Sequence, residues 1–273
     1  MKLSCLPVSY FGEIINGRMS LGQWAREAAG FGLSAIDITI LFLKSRDPDA
    51  LRSMRQEIEA HGVQVAMVAT YPDFTHPDPA ERRNQARALE SDIAAAAALG
   101  AEMVRVTAGQ AHPRTTREEG IAWAIEGLTA ALPVAERYRV QLVYENHSKP
   151  GVWDYYDFSF PTDNFLAIVH GTAGTSLGIN FDTANPLVYG DDPLPLLNRV
   201  VDRVVSVHAA DVRAPGALEP VVIGTGAVPF RQVFSILKEN GFDGWICIEE
   251  ASRTGPEGVE QAVSFIRRTW EEA

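Results

Sequence analysis

Short apolar runs alternate with longer amphipathic segments along the whole chain. The apolar runs are continuous rather than alternating, which indicates strands that are buried on both faces, as in a parallel sheet. The predicted strands are Leu3–Val8, Ala35–Ile40, Val63–Thr70, Met103–Thr107, Val140–Glu145, Leu177–Asp182, Val204–His208 and Trp245–Glu249.

The segments between these runs have helical periodicity and recognisable helix ends. One helix is predicted to begin after Ser20, a plausible N-cap, and others end at Gly62 and Gly100. The longest segment contains Pro133, which predicts a kink or a break. Eight strand–helix units in 273 residues predict one domain, residues 1–273, folded as a (β/α)8 TIM barrel. A doubly wound open sheet is the alternative, but no predicted strand is polar enough to form its edge.

Composition and charge narrow the functional classes. The net charge is −11, whereas a protein that binds bulk nucleic acid needs a basic surface to neutralise phosphates. The start of the chain lacks an apolar stretch of signal-peptide length, and no run reaches the ~18–20 apolar residues of a membrane span. We therefore expect a cytoplasmic protein without nucleic-acid or membrane partners, in which Cys5 and Cys247 are buried, reduced thiols.

Four metal-ligating side chains lie at the ends of the last four predicted strands. Glu145, Asp182, His208 and Glu249 each follow an apolar run and precede a loop. In a closed parallel barrel these strand ends meet at one mouth, where catalytic residues gather. Three carboxylates can share such a site only with a cation or with shared protons. The pattern predicts a divalent metal site, with Mn²⁺ as the first expectation and Mg²⁺, Co²⁺ or Zn²⁺ as alternatives.

The motifs that contain these residues resemble those of the xylose isomerase-like barrel superfamily, the sugar phosphate isomerase/epimerase group. The resemblance covers essentially the whole chain and is carried by VYENH, NFDTAN, VSVHAADVR, IGTGAVPF and GFDGWICIEE. It implies that Glu145, Asp182, His208 and Glu249 are the metal ligands and that Arg213 contacts the substrate. The chain departs from the usual pattern at Asn185, where many members carry histidine, at Ala210, where lysine is common, and at His147, which fits a subset of members.

Several further residues are candidates for chemistry or substrate contact. His147, two residues after Glu145, has an unperturbed pKa near ~6.5 and suits acid–base work at neutral pH. Asn185 is expected to hydrogen-bond the substrate or a metal-bound water. His112 is a candidate substrate contact after the fourth strand, with a role in loop structure as its alternative. Trp153 belongs to the aromatic loop Ser148–Thr162, which suits either stacking on a sugar or contact with a second subunit.

The resemblance implies a metal-dependent enzyme of carbohydrate metabolism with a small sugar substrate. The first expectation is an isomerase or epimerase that acts on a keto-sugar. It would remove the proton alpha to the carbonyl and stabilise the enediolate on the metal, with Glu145 and Glu249 exchanging protons. The alternative is a lyase on the same scaffold, either an inosose-type dehydratase or a 3-keto-glycoside deglycosidase, with His147 as the single base.

Two other possibilities on the same barrel are weaker. A DNA-repair endonuclease would need three zinc ions and more histidines, and the net charge of −11 argues against it. A non-catalytic barrel subunit that supports a partner is the other, and the intact ligand set argues against it. A homo-oligomer or a partner subunit would make contact through the loop Ser148–Thr162.

Overall fold

A computed structural model describes all residues from Met1 to Ala273. Its eight parallel strands confirm the predicted ones to within one or two residues at each end and form a nearly closed barrel. The hydrogen-bonded order is β1-β8-β7-β6-β5-β4-β3-β2, and the first and last strands of this order pack beside each other. The strands are β1 Lys2–Leu6, β2 Ala35–Thr39, β3 Gln64–Ala69, β4 Met103–Val106, β5 Gln141–Glu145, β6 Gly178–Asp182, β7 Val204–Ala209 and β8 Trp245–Glu249.

Helices surround the barrel and connect successive strands, as the (β/α)8 prediction requires. One begins at the predicted cap Ser20: the Ser20 side chain accepts from the backbone N–H of Gln23, and the Gln23 side chain accepts from the backbone N–H of Ser20. The helices are α1 Phe11–Ile15, α2 Leu21–Gly30, α3 Pro48–Glu59, α4 Pro79–Ala98, α5 Arg117–Tyr138, α6 Thr162–Gly171, α7 Asn185–Tyr189, α8 Pro193–Val200, α9 Phe230–Glu239 and α10 Pro256–Glu272.

The prediction of a break at Pro133 is wrong, because α5 continues through this residue from Arg117 to Tyr138. Proline removes a single backbone N–H donor, and α5 buries Leu128, Ala131 and Ala135 along its length. The packing of this face therefore holds the helix together across the missing hydrogen bond. Both cysteines are free and buried, as predicted. None of the helices combines the length and the hydropathy needed to cross a membrane.

The barrel interior is apolar in one part and polar in another. One small cluster consists of six apolar residues from β2, β3, β4, β5 and β8, among them Met67, Met103 and Trp245. The Trp245 indole donates to Glu102, which precedes β4 at the N-terminal ends of the strands. Buried polar residues are concentrated towards the other ends of the strands and at the mouth. The sheet thus presents its chemically useful side chains where the βα loops converge.

The long loop between β5 and α6 is fixed against the loop after β4. The N–H of Phe158 donates to the carbonyl of Gly109 at 2.7 Å. The N–H of Ala111 donates to the carbonyl of Tyr156 at 2.8 Å. Gly109 has a φ of +128°, and a Cβ there would lie 2.3 Å from Thr75 Oγ1. Only glycine therefore allows the two loops to meet in this way.

Burial in the outer core predicts a large effect from one leucine. Leu237 in α9 is fully buried, whereas Leu218 is 50% exposed. Leu237→Ala should lower the free energy of unfolding by about 2–5 kcal/mol, because it removes buried methyl groups and leaves a cavity. The matched Leu218→Ala should change it by less than about 0.5 kcal/mol. Urea unfolding followed by circular dichroism measures both, and equal losses in the two variants would contradict the assigned core.

Candidate active site and metal centre

The four residues predicted at the strand ends converge at the mouth of the barrel. Glu145, Asp182 and Glu249 are the last residues of β5, β6 and β8, and His208 is the second-last residue of β7. One potential ligand atom from each lies within 4.8 Å of those of the other three. Three of the side chains are almost fully buried, and Glu249 is 27% exposed. Glu249 therefore marks the side of the cluster that is open to solvent.

His208 occupies the centre of this cluster. Its Nδ1 lies 2.8 Å from Glu145 Oε1 and 2.9 Å from Glu249 Oε2. Neither contact has hydrogen-bond geometry, so His208 Nδ1 has no hydrogen-bond partner. Asp182 is oriented differently, since its Oδ1 accepts from the backbone N–H groups of Ala184 and Asn185 at 2.8 and 2.6 Å. Lone pairs in the cluster thus remain free to bind a ligand.

The pKa shifts in the cluster reflect crowding of negative charge. Burial raises the pKa of Asp182 well above its ordinary value, and the charges of Glu249 and Glu145 raise it further. Burial also opposes ionisation of Glu145, but Arg105 and His208 outweigh it and hold that pKa well below the usual range. Burial disfavours protonated His208, but Glu145, Cys247 and Asp37 together outweigh this effect and raise the histidine pKa. A cation at this point would relieve the repulsion among the three carboxylates.

The donor set fits a divalent metal ion. Carboxylate oxygens with one imidazole suit hard or borderline ions such as Mg²⁺, Mn²⁺ and Zn²⁺. The Nδ1 of His208 is a buried polar atom without a hydrogen-bond partner, of the kind that a bound ion satisfies. The cluster therefore supports a divalent metal, and it does not identify which ion.

Arg105 is a candidate site residue that the sequence analysis missed. This arginine on β4 is almost fully buried, and its Nε lies 3.0 Å from Glu145 Oε2. Its guanidinium also donates to the carbonyl of Thr70 and lies over the ring of Tyr71. Asn180 donates to the other oxygen of Glu145 at 3.1 Å. The signal was present as a charged residue inside the apolar strand MVRV, but only the closed barrel brings it to Glu145.

His147 faces a second buried carboxylate. Its Nδ1 lies 4.0 Å from Oδ2 of Asp157, and neither atom has a hydrogen-bond partner. Burial lowers the pKa of His147 to about 4, so the imidazole is neutral at pH 7. Burial raises the pKa of Asp157 to about 8, although Ser159 donates two hydrogen bonds to it. No local pattern in the sequence pointed to Asp157, which lies in the middle of the long loop.

The other predicted substrate contacts occupy different parts of the mouth. Asn185 begins α7 and lines a small cavity together with His147. His112 Nε2 lies 2.8 Å from Asp73 Oδ2 and borders a separate cavity of about 680 Å³. Trp153 is buried at the edge of a third cavity, near β3.

Arg213 is not one of the four clustered residues. Its side chain is exposed, and its Nε donates to Glu219 at 2.6 Å. A substrate contact by Arg213 would require this exposed ion pair to open, which costs little at a solvated surface.

Loss of one ligand should weaken metal binding. Asp182→Asn removes a carboxylate charge from the cluster while keeping the side-chain shape, so the variant should bind Zn²⁺ or Mn²⁺ at least about tenfold more weakly than the wild type. Glu102→Gln, at the opposite end of the barrel, is the matched control and should bind normally. Calorimetric titration of metal-free protein measures both. Equal affinities in all three proteins would contradict the site.

The buried Asp157 predicts a pH dependence of stability. Its carboxyl titrates near 3.8 when unfolded and at about 8 when folded. Between these values the folded protein holds a proton that the unfolded chain has released, so this group makes stability fall as pH rises. Asp157→Asn removes the titration, so its stability relative to the wild type should increase from about pH 5 to about pH 8.

Asp154→Asn, an exposed carboxylate in the same loop, is the control for this pH dependence and should show a constant difference from the wild type. Urea unfolding at each pH measures these differences. A constant difference for Asp157→Asn as well would contradict a raised pKa.

Relatives of this chain in sequence include inosose dehydratases. The chain is 29% identical to the inosose dehydratase of Clostridium beijerinckii over 45% of each protein, so it spans less than half the length of that relative. It is 25% identical to the inosose dehydratase of Geobacillus kaustophilus over 91% of this chain and 86% of that protein.

Solved structures share the whole fold at low identity. A D-tagatose 3-epimerase-like protein superposes with a TM-score of 0.80 at 20% identity, covering 100% of this chain and 98% of that one. The IolI protein with a bound zinc atom superposes with a TM-score of 0.77 at 19% identity, covering 100% and 97%. The model of the xylose isomerase-like TIM barrel family matches residues 25–269. The chain therefore belongs to the xylose isomerase-like TIM barrel family.

Proposed function

We propose that this chain is a divalent-metal-dependent lyase that dehydrates a cyclic keto-polyol of the inosose type. The observation that carries the proposal is the convergence of four ligand atoms within 4.8 Å at the mouth of the barrel. The inosose dehydratases among its relatives support the substrate class. A divalent ion held by Glu145, Asp182, His208 and Glu249 would draw electron density from the ketone oxygen and stabilise the negative charge that develops there.

The contacts of Glu145 favour a role as a ligand rather than as a base. Arg105 and Asn180 engage both of its oxygens, and its side chain is fully buried. A carboxylate whose pKa is held below the usual range is a weak proton acceptor. An epimerase would use two glutamates to exchange protons with the substrate. Glu145 is therefore poorly suited to accept a proton in that reaction.

His147 is the base in this proposal. It is neutral at pH 7, and its pKa of about 4, although lowered by burial, lies above that of Glu145. It lines the same small cavity as Asn185. It would take the proton from the carbon alpha to the ketone, after which the hydroxyl on the next carbon leaves with a proton as water. The C–H and C–O bonds break and a C=C bond forms, so the step needs no oxidant or reductant. Asn185 would orient the substrate by hydrogen bonds.

An isomerase or epimerase is the second candidate, and the exposure of Glu249 favours it. Since 27% of this side chain is accessible, Glu249 would be able to reach a substrate and return a proton to it. The two reactions share proton removal and differ in the second step. In the lyase a substituent is lost, and in the epimerase a proton is added back.

Reaction in D₂O separates the two candidates. Metal-loaded protein is incubated with inososes, ketoses and 3-keto glycosides, and the products are analysed by NMR and mass spectrometry. Dehydration of an inosose supports the proposal, and loss of an aglycone from a 3-keto glycoside points to the deglycosidase form of the lyase. Deuterium at carbon in recovered substrate without loss of water or aglycone supports the epimerase. If no substrate loses water and none exchanges, both candidates are wrong.

Replacement of the proposed base should affect turnover but not metal binding. His147→Gln should lower kcat by about 10²–10⁴-fold, the usual contribution of a general base, while the bound metal per chain stays at the wild-type value. The control is His170→Gln, at the end of α6 on the outside of the barrel, which should keep wild-type kcat. Full activity in His147→Gln would remove His147 from the mechanism.

A further inference from the structure

A buried carboxylate without a function in the proposed reaction lies on the far side of His208. The Asp37 side chain on β2 is 2% exposed, and neither of its oxygens has a hydrogen-bond partner. An unsatisfied carboxylate in the interior of a barrel is costly and therefore needs a structural or functional reason. In the strand AIDIT it is the only charged residue.

The two ring nitrogens of His208 face different groups. Nδ1 faces Glu145 and Glu249, whereas Nε2 lies 3.7 Å from Asp37 Oδ2 and also has no hydrogen-bond partner. Cys247 Sγ lies within 4.8 Å of a ring nitrogen of His208 and of an Asp37 oxygen. A neutral imidazole that offers the Nδ1 lone pair to a metal must carry its proton on Nε2. That N–H needs an acceptor, and a thiol is a weak one.

We propose that Asp37 is a positioning residue for the metal centre: its carboxylate accepts the Nε2–H of His208 and thereby keeps Nδ1 free as the ligand atom. The inference rests on the metal site of the proposed function and not on its reaction. The present separation is about 0.5 Å beyond a hydrogen bond, a gap that a small rotation of either side chain closes. Metal-binding histidines commonly use their second nitrogen in this way.

The same three residues do not make an equally good second metal site. Asp37, His208 and Cys247 bring three potential ligand atoms together, but the imidazole is shared with the cluster at the mouth. Simultaneous occupation of both sites would require His208 to lose both ring protons. A hydrogen bond from Nε2–H to Asp37 satisfies the same atoms and keeps the imidazole neutral.

Zinc affinity of the intact protein tests the role of Asp37. Metal-free wild type, Asp37→Ala and Asp37→Asn are titrated with Zn²⁺ against a competing chelator. Ser4→Ala is the matched control, because Ser4 is equally buried and pairs in register with Cys247 but is not in the ligand cluster. Asp37→Ala should bind zinc about 10–100-fold more weakly, and Ser4→Ala should stay within twofold of the wild type.

Nitrogen-15 NMR of the zinc-loaded protein gives a readout that loss of packing alone would not produce. The His208 resonances should show a protonated Nε2 in the wild type. In Asp37→Asn, whose amide oxygen still accepts, the Nε2–H proton should move to higher field, because an amide is a weaker acceptor than a carboxylate. If Asp37→Ala does not fold, the Nε2–H resonance of Asp37→Asn tests the role of Asp37.

Three results would overturn the inference. They are zinc affinity of Asp37→Ala within twofold of the wild type, an unchanged Nε2–H resonance in Asp37→Asn, or a second equivalent of zinc that disappears in both Asp37→Asn and Cys247→Ser. Failure of the wild type to bind any divalent metal would instead overturn the proposed function.

Discussion

The crowding of three carboxylates around one imidazole is the constraint on which the site depends. These groups cannot all remain charged in a buried place without compensation, and the barrel supplies only one nearby permanent cation, Arg105, which is held against Glu145. The remaining negative charge suits a divalent cation. The pKa values of Asp182 and Glu145 shift in opposite directions. Burial and the neighbouring carboxylates raise the pKa of Asp182, whereas Arg105 beside Glu145 lowers the pKa of that residue.

Arg105 and Asp37 extend the site into the barrel interior. Arg105 fixes one carboxylate from β4, and Asp37 lies behind the imidazole from β2. Neither strand contributes to the four-residue cluster, so residues from both halves of the barrel surround the site. Side chains held by buried neighbours on rigid strands keep their geometry better than side chains on loops.

The loop between β5 and α6 carries the groups that favour a lyase. It brings Asp157 Oδ2 to 4.0 Å from His147 Nδ1. It also contains the buried Phe158, whose N–H donates to Gly109 in the loop after β4. His147, the proposed base, and Glu145, the proposed metal ligand, therefore come from one short stretch of chain. They face different partners: His147 faces Asp157, and Glu145 faces Arg105. The two residues lie within three positions of each other, yet His147 is a neutral imidazole and Glu145 is a carboxylate held by an arginine.

The sequence by itself determined the eight strands, the barrel and the four residues at the strand ends, because continuous apolar runs and strand-end polar residues are local patterns. It did not determine that α5 passes Pro133 unbroken, since packing of the helix decides this. Arg105 and Asp37 were visible as charges in apolar strands, but their partners lie on distant strands, and Asp157 had no local signal at all. Only the closed barrel brings these side chains together, because interactions between residues far apart in the chain arise from tertiary packing.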